Sequence, residues 1–281
     1  MPRVRIVTDS TADLPDRLYK EHDIRVVPLN VHFGEEVYRD HVDIKSSEFY
    51  TKLVSSKHHP RTSQPSPGDF LAAYQELTAN GDHVVSVHLS GALSGTLQSA
   101  ALAKEMLSGA NIELVDTRSA SLGIGLVLLA ASRAAKAGKS AVDTAAEARE
   151  IAARMHLVMC VDTLEYLARN GRIGKAQAFL GGLLSVKPVL GLEDGAVVPL
   201  DKARGRGRAL ERVVELVQER VPAGSSVHIA VVHANVPDDA DQMLKRLEGI
   251  YTVREGLTGI IGPVIGVHVG PGTLGIVLYR D

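Results

Sequence analysis

The chain has 281 residues, 45% hydrophobic and 23% charged, the balance of a globular protein that buries a full core. Lys plus Arg is 31 against 33 for Asp plus Glu, so a net charge of −2 provides no field that would gather nucleic acid or an anionic membrane. Four Phe, seven Tyr and no Trp leave little surface for stacking bases, and no nucleic-acid partner is expected.

Residues 4–7 read as a short buried strand that runs into the polar turn Thr8-Asp9-Ser10-Thr11-Ala12-Asp13-Leu14-Pro15. A second strand is expected over 24–33 and a helix over 47–55. Ser66-Pro67-Gly68-Asp69 opens another helix, with Ser66 as N-cap, Pro67 at the first helical position and Asp69 near the free amides. A strand over 84–89 precedes a helix over 95–107, whose apolar stripe is Leu97, Ala100, Ala103 and Leu107. A strand over 112–115 and helices over 122–137 and 140–155 complete a strand-helix alternation. Such alternation implies a mainly parallel sheet covered on both faces. The apolar stretch 122–131 is far short of the roughly 20 residues that a membrane helix needs, and Arg133 closes it. No signal-peptide core precedes the first strand, so the chain is expected to be cytoplasmic and not an integral membrane protein.

The second half is richer in strands, expected over 157–161, 186–192, 196–200, 227–233, 264–269 and 275–279, with helices over 175–183, 209–220 and 238–247. Asp194-Gly195 between two strands is a hairpin signal and favours antiparallel pairing. The expected architecture is therefore an α/β domain with a mainly parallel sheet over 1–155, then an α+β domain with an antiparallel sheet over 156–281. The single cysteine, Cys160, has no disulfide partner and reads as a small buried hydrophobe.

Four segments carry candidate chemistry. Leu89-Ser90-Gly91-Ala92-Leu93-Ser94-Gly95-Thr96 joins a strand to a helix at the edge where open α/β sheets bind ligands, and the helix start favours an anion. A helix cap alone explains it about as well. Arg61-Thr62-Ser63-Gln64-Pro65-Ser66-Pro67 is a stiff, hydroxyl-bearing turn, which more often serves only as a cap. Lys202-Ala203-Arg204-Gly205-Arg206-Gly207-Arg208 is either an anion clamp or a solvated basic loop. Gly270, Gly272 and Gly275 spell a G-x-G-x-x-G, but a strand follows and the acidic residue is missing, so no dinucleotide site is expected. His268 stands in the same segment as an isolated polar residue. Histidine pairs five apart, His83/His88 and His228/His233, would point to opposite strand faces and build no metal site.

In their order along the chain, Val7-Thr8-Asp9-Ser10, Val27-Pro28-Leu29, Thr62-Ser63-Gln64-Pro65-Ser66, Leu89–Thr96 and Val115-Asp116-Thr117 resemble the DegV family. So do Leu164-Glu165-Tyr166-Leu167, Gly171-Arg172-Ile173, Lys187-Pro188-Val189-Leu190 and the glycine-rich segment 262–275. The resemblance implies a long-chain fatty acid as ligand, with its tail in an apolar tunnel, its carboxylate near the domain interface and no cofactor. It assigns Thr62, Ser63 and Ser94 as head-group hydroxyls, Gly95 as an amide donor, and Arg204 and His268 as basic head-group residues. Gly205 stands where many relatives have Thr or Ser, which leaves the alignment open between Arg204 and Arg206. Members of this type do no chemistry alone but present the carboxylate to a separate ATP-dependent fatty acid kinase. The alternative is a hydrolase or phosphotransferase acting on a small acidic substrate through Ser94 or His268; a triad of these two with Asp9 is conceivable, but nothing in their spacing supports it.

Overall fold

The computed structural model describes residues 2–180 and 186–281. In chain order its first elements are β1 (Val4–Asp9), α1 (Asp16–Glu21), β2 (Ile24–Val27), β3 (Asn30–Phe33), β4 (Glu36–Arg39), α2 (Ser46–Ser55) and β5 (Arg61–Ser63). There follow α3 (Pro67–Thr78), β6 (His83–His88), α4 (Thr96–Met106), β7 (Ile112–Asp116), α5 (Leu122–Lys136) and α6 (Ala141–Ala153). The remaining elements are β8 (His156–Cys160), α7 (Glu165–Arg169), β9 (Val186–Glu193), β10 (Ala196–Arg204), α8 (Arg206–Arg220), β11 (Ser226–His233), α9 (Pro237–Glu248), β12 (Thr252–Ile260), α10 (Pro263–Val269) and β13 (Leu274–Arg280).

Strands β2-β1-β6-β7 form a wholly parallel sheet. The larger sheet runs β10-β9-β8-β13-β11-β12 and is antiparallel except for the β11–β12 pair. A small antiparallel sheet, β4-β3-β5, holds residues 61–63 beside β3. Helices α3 and α4 cover one face of the parallel sheet, while α5 packs against β1 and β6 on one side and β11 and β13 on the other. Twelve of the 15 residues of α5 are buried, which is why its sequence is apolar nearly all round. One hydrophobic cluster therefore runs from Ile6 and Val85 through Leu126 and Leu129 to Val232 and Val277. Helices α8 and α9 close the outer face of the larger sheet around Val213, Val217 and Leu278.

Local chemistry explains several boundaries. Ser66 Oγ accepts from Asp69 N (3.2 Å) and Asp69 Oδ2 accepts from Ser66 N (2.7 Å), a reciprocal capping box behind Pro67. Asp194 and Gly195 both take positive φ, 49° and 78°, as the two-residue turn between β9 and β10 requires.

Other expectations need correction. The strand expected over 24–33 breaks at Pro28, which has no N–H for a ladder, and its two halves join different sheets. The strand expected over 264–269 is helix α10: Gly262 is its N-cap, and Pro263 at the first helical position presets φ. A short, continuously apolar run does not reveal its own period, so this segment was ambiguous by pattern. Arg61–Ser63 is strand rather than turn, and β12 is a further strand, alternating in burial along its first part. Where a helix over 175–183 is expected, a 3₁₀ segment spans Gly174–Phe179, and residues 181–183 lie outside the described residues. Among the described residues no helix is long and apolar enough to cross a membrane.

Candidate functional site

Strand order in the parallel sheet reverses between β1 and β6, so the crevice for a ligand opens at their carboxyl ends. Asp9 ends β1 there. Its Oδ1 accepts from Thr11 N (3.0 Å) and Thr11 Oγ1 (2.5 Å), and its Oδ2 lies 2.9 Å from His88 Nδ1 and accepts from Leu89 N (3.1 Å). His88 Nε2 is 2.7 Å from Ser86 Oγ, to which Tyr74 donates (2.9 Å). Asp9, His88, Ser86 and Tyr74 are all fully buried, so this Asp-His-Ser chain is a brace sealed from any substrate. It ties the loop after β6 to the end of β1.

Beyond that loop lies a cavity of about 900 Å³, its mouth included, between the two sheets. Its walls are mostly apolar: Leu157 and Met159 come from β8, Leu192 from β9 and Val232 from β11, with Leu29 and Leu89 opposite. Polar groups on its lining include Thr62, Gln64, Ser94, Arg172 and His268. The sequence alternation along β5 turns Thr62 toward this space. Ser63 faces the other way, its Oγ 2.9 Å from His32 Nε2, and does not line the cavity.

Ser94 precedes α4. Its Oγ is 2.9 Å from Thr96 Oγ1 and accepts from Thr96 N (3.3 Å). Gly95 is the N-cap, and a Cβ there would sit 2.5 Å from Gln64 Nε2, so a larger residue would displace the Gln64 side chain that lies over this helix start. His268 arrives on the last turn of α10 with Nε2 3.0 Å from Thr62 Oγ1. The other end of α10 is pinned: Gly262 is wedged against Asp13 and His41, while Tyr50 donates to the Ile261 carbonyl (3.1 Å). Asp13 in turn accepts from Ser121 Oγ (2.5 Å).

Two basic assignments part company in the structure. Arg204 ends β10, opposite Val186, exposed and away from the cavity lining. Arg206 is spent on Asp239 Oδ2 (2.8 Å) and the Gly272 carbonyl (2.6 Å). The basic residue that does line the cavity is Arg172, held by the carbonyls of Leu93 (3.2 Å) and Asn170 (2.8 Å). Nothing local in Gly171-Arg172-Ile173 marks Arg172 as a site residue. The signal available was a cation beside a glycine just outside a short helix, which many solvated loops share. Gln64 is equally unmarked inside its motif. A Ser94–His268–Asp9 triad does not form either, because the three side chains bond to Thr96, Thr62 and His88 respectively.

Burial, reinforced by the nearby Arg172 charge and by His59, holds the His268 imidazole down at about 4. It is therefore neutral near pH 7. Its Nδ1 is buried and has no hydrogen-bond partner among the described residues, which is costly unless a ligand or water meets it. The unfolded histidine, titrating near 6.5, binds more protons than the folded one between about pH 6.5 and pH 4, so the fold loses stability as pH falls through that window. The protein is accordingly expected to lose Tm more steeply between pH 6.5 and pH 4 than His268→Gln does. Parallel Tm profiles of the two would show that His268 does not titrate this way.

Fold and cavity together define an α/β protein with a parallel sheet, a larger mixed sheet and an internal, mostly apolar site lined by several polar groups. The chain belongs to the DegV family: the model described as an uncharacterised protein of that family matches residues 3–281. It is 37% identical to Protein DegV of Bacillus subtilis over 274 residues, 97% of this chain and 98% of the relative. A solved structure on fatty acid binding of a DegV family protein from Thermus thermophilus superposes with a TM-score of 0.93 at 39% identity, covering 99% of this chain and 100% of that one. The crystal structure of DegV, a fatty acid binding protein from Bacillus subtilis, superposes with a TM-score of 0.91 at 36% identity and full coverage of both chains.

Proposed function

We propose that this protein binds one long-chain fatty acid, tail in the cavity and carboxylate among Thr62, Ser94, Arg172 and His268, with the Gly95 amide close by. The observation that carries the reading is the buried His268, its Nε2 bonded to Thr62 and its Nδ1 without a partner among the described residues, lining the same mostly apolar cavity as Ser94 and Arg172. A carboxylate withdrawn from water is expensive unless several donors meet it, and this end supplies hydroxyls, a guanidinium and an imidazole. The tail supplies the drive: each buried methylene contributes roughly 0.8 kcal/mol, so a palmitate-length chain gains on the order of 10 kcal/mol before the costs of binding. Fatty acid binding by the relatives from Thermus thermophilus and Bacillus subtilis supports the same assignment. Ser63 and Arg204 take no part in this head-group site.

In this reading the chain divides near residue 155 into a unit that carries the hydroxyls and a second that carries Arg172 and His268. The protein needs no cofactor and acts in the cytoplasm as a carrier. It presents the carboxylate to a separate ATP-dependent kinase, whose acyl phosphate product serves phospholipid metabolism. Native mass spectrometry of the purified and delipidated protein tests the binding step. One fatty acid per chain, on purification or after adding palmitate or oleate, is the expected result. A protein that neither carries nor takes up either acid would sink the proposal.

Leu157 and Leu192 line both the acyl cavity and a second, surface pocket that also includes Arg118 and Gly195. Side chains shared by two spaces are the partition between them. Leu192→Ala, which removes three carbons from that partition, is expected to raise the preferred acyl length by about two carbons. Competition between acids of 14 to 20 carbons reads this out, and an unchanged preference would place the tail's end elsewhere.

A further inference from the structure

We infer that a second groove, lined by Lys57, His58, His59, Arg61 and Arg169 with His32 on its wall, binds an anionic phosphate group. This groove encloses about 980 Å³, its opening included, and apart from these six side chains only Gly34 lines it. It holds no acid. In a chain of net charge −2 such an excess is not compositional: β3, the loop before β5, β5 itself and the end of α7 bring the cations together.

Several exposed cations elsewhere carry acidic partners, among them Arg25 with Glu76, Arg39 with Asp43 and Arg149 with Glu113. Lys57 and Arg61 have no ion pair among the described residues, and Arg169 has only Glu165. Unpaired like charges around one concavity repel, and an anion relieves that repulsion. Two guanidiniums, an ammonium and imidazole N–H groups also match the several oxygens of a phosphoryl group better than a single carboxylate.

The groove stands back to back with the acyl site. Along β5, Thr62 turns to the cavity while Arg61 lines the groove. His59 Nε2 is 2.9 Å from Asn170 Nδ2, which also donates to the Val267 carbonyl of α10 (3.1 Å). His59 Nε2 thus accepts, leaving Nδ1–H as a donor for an anion. The inference does not rest on the acyl reading, and native mass spectrometry of bound lipid reports on that reading separately.

The phosphate has two sources, a free polyphosphate of the nucleotide kind or the headgroups of an anionic lipid surface. Titration calorimetry with inorganic triphosphate addresses the first, and co-sedimentation with phosphatidylglycerol vesicles, against phosphatidylcholine vesicles, addresses the second. Binding in either arm is expected to weaken by about tenfold in each of Arg61→Gln, Arg169→Gln and Lys57→Gln. Lys245→Gln, an exposed cation on α9, is expected to match the parent. Melting temperatures within a degree or two of the parent's, about the noise of an exposed substitution, verify folding. Loss in the calorimetric arm identifies a free polyphosphate, and loss in the vesicle arm a lipid headgroup. Absence of binding in both arms, or binding that the three groove substitutions leave unchanged, overturns the inference.

Discussion

Thr62→Val combined with Ser94→Ala is expected to weaken binding of a long-chain fatty acid by about 100-fold or more, because each hydroxyl that hydrogen-bonds a buried charge contributes roughly 1.5–3 kcal/mol. Valine preserves the branched shape that suits β5, so the substitution tests the hydroxyl and not the strand. It also leaves His268 Nε2 without its 3.0 Å partner, which adds to the loss. The methyl ester of the same acid provides the decisive comparison. It keeps the tail but carries no charge, and its affinity is expected to change by no more than about threefold, under 1 kcal/mol. Equal losses for acid and ester would mean that the two hydroxyls shape the cavity and do not hold the head group. Titration of a delipidated protein with both ligands distinguishes these results.

Asp9→Ala is expected to destabilise the fold by about 3–5 kcal/mol, the cost of leaving a buried charged-group partner uncompensated. Asp9 and His88 are both fully buried, and the carboxylate accepts from the N–H and the hydroxyl of Thr11 in the following turn as well as from Leu89 N. Alanine leaves those donors and the imidazole without an acceptor. The melting temperature is expected to fall on the order of 10 °C. Asp9→Asn, which keeps one acceptor oxygen, is expected to lose less. The effect reaches the site as well as the core, since Leu89 lines the acyl cavity and its N–H is held by Asp9. A loss under about 1 kcal/mol, in urea or heat, would show that this brace contributes no more than an ordinary surface contact.

What could be read before folding was the chemistry settled within a few residues. The Ser66–Asp69 capping box, the Asp194-Gly195 turn and the alternation of strands with helices over the first half all depend on neighbours in the chain, and each is present in the structure. Thr62, Ser94 and His268 were legible as polar exceptions at strand and helix ends, and the fold does bring them to one cavity. Segments decided by long-range partners were not legible. Residues 264–269 are apolar whether strand or helix, and their helical form depends on packing against α2, where a Cβ at Gly266 would lie 2.6 Å from Phe49 Cε1.

Basic residues show the same division most sharply. Lys, Arg and Gly dominate residues 202–208, which marks a place where cations gather but not what each cation meets. Tertiary structure pairs Arg206 with Asp239, leaves Arg204 in solvent and brings Arg172 to the cavity. A guanidinium on a long side chain takes its role from whatever acid, carbonyl or cavity lies within reach, and that depends on elements remote in sequence. Composition and local pattern determined an α/β protein with hydroxyls at its strand ends. Only the packing of two sheets around α5 decided that those hydroxyls share one apolar cavity with Arg172 and a neutral, half-satisfied His268.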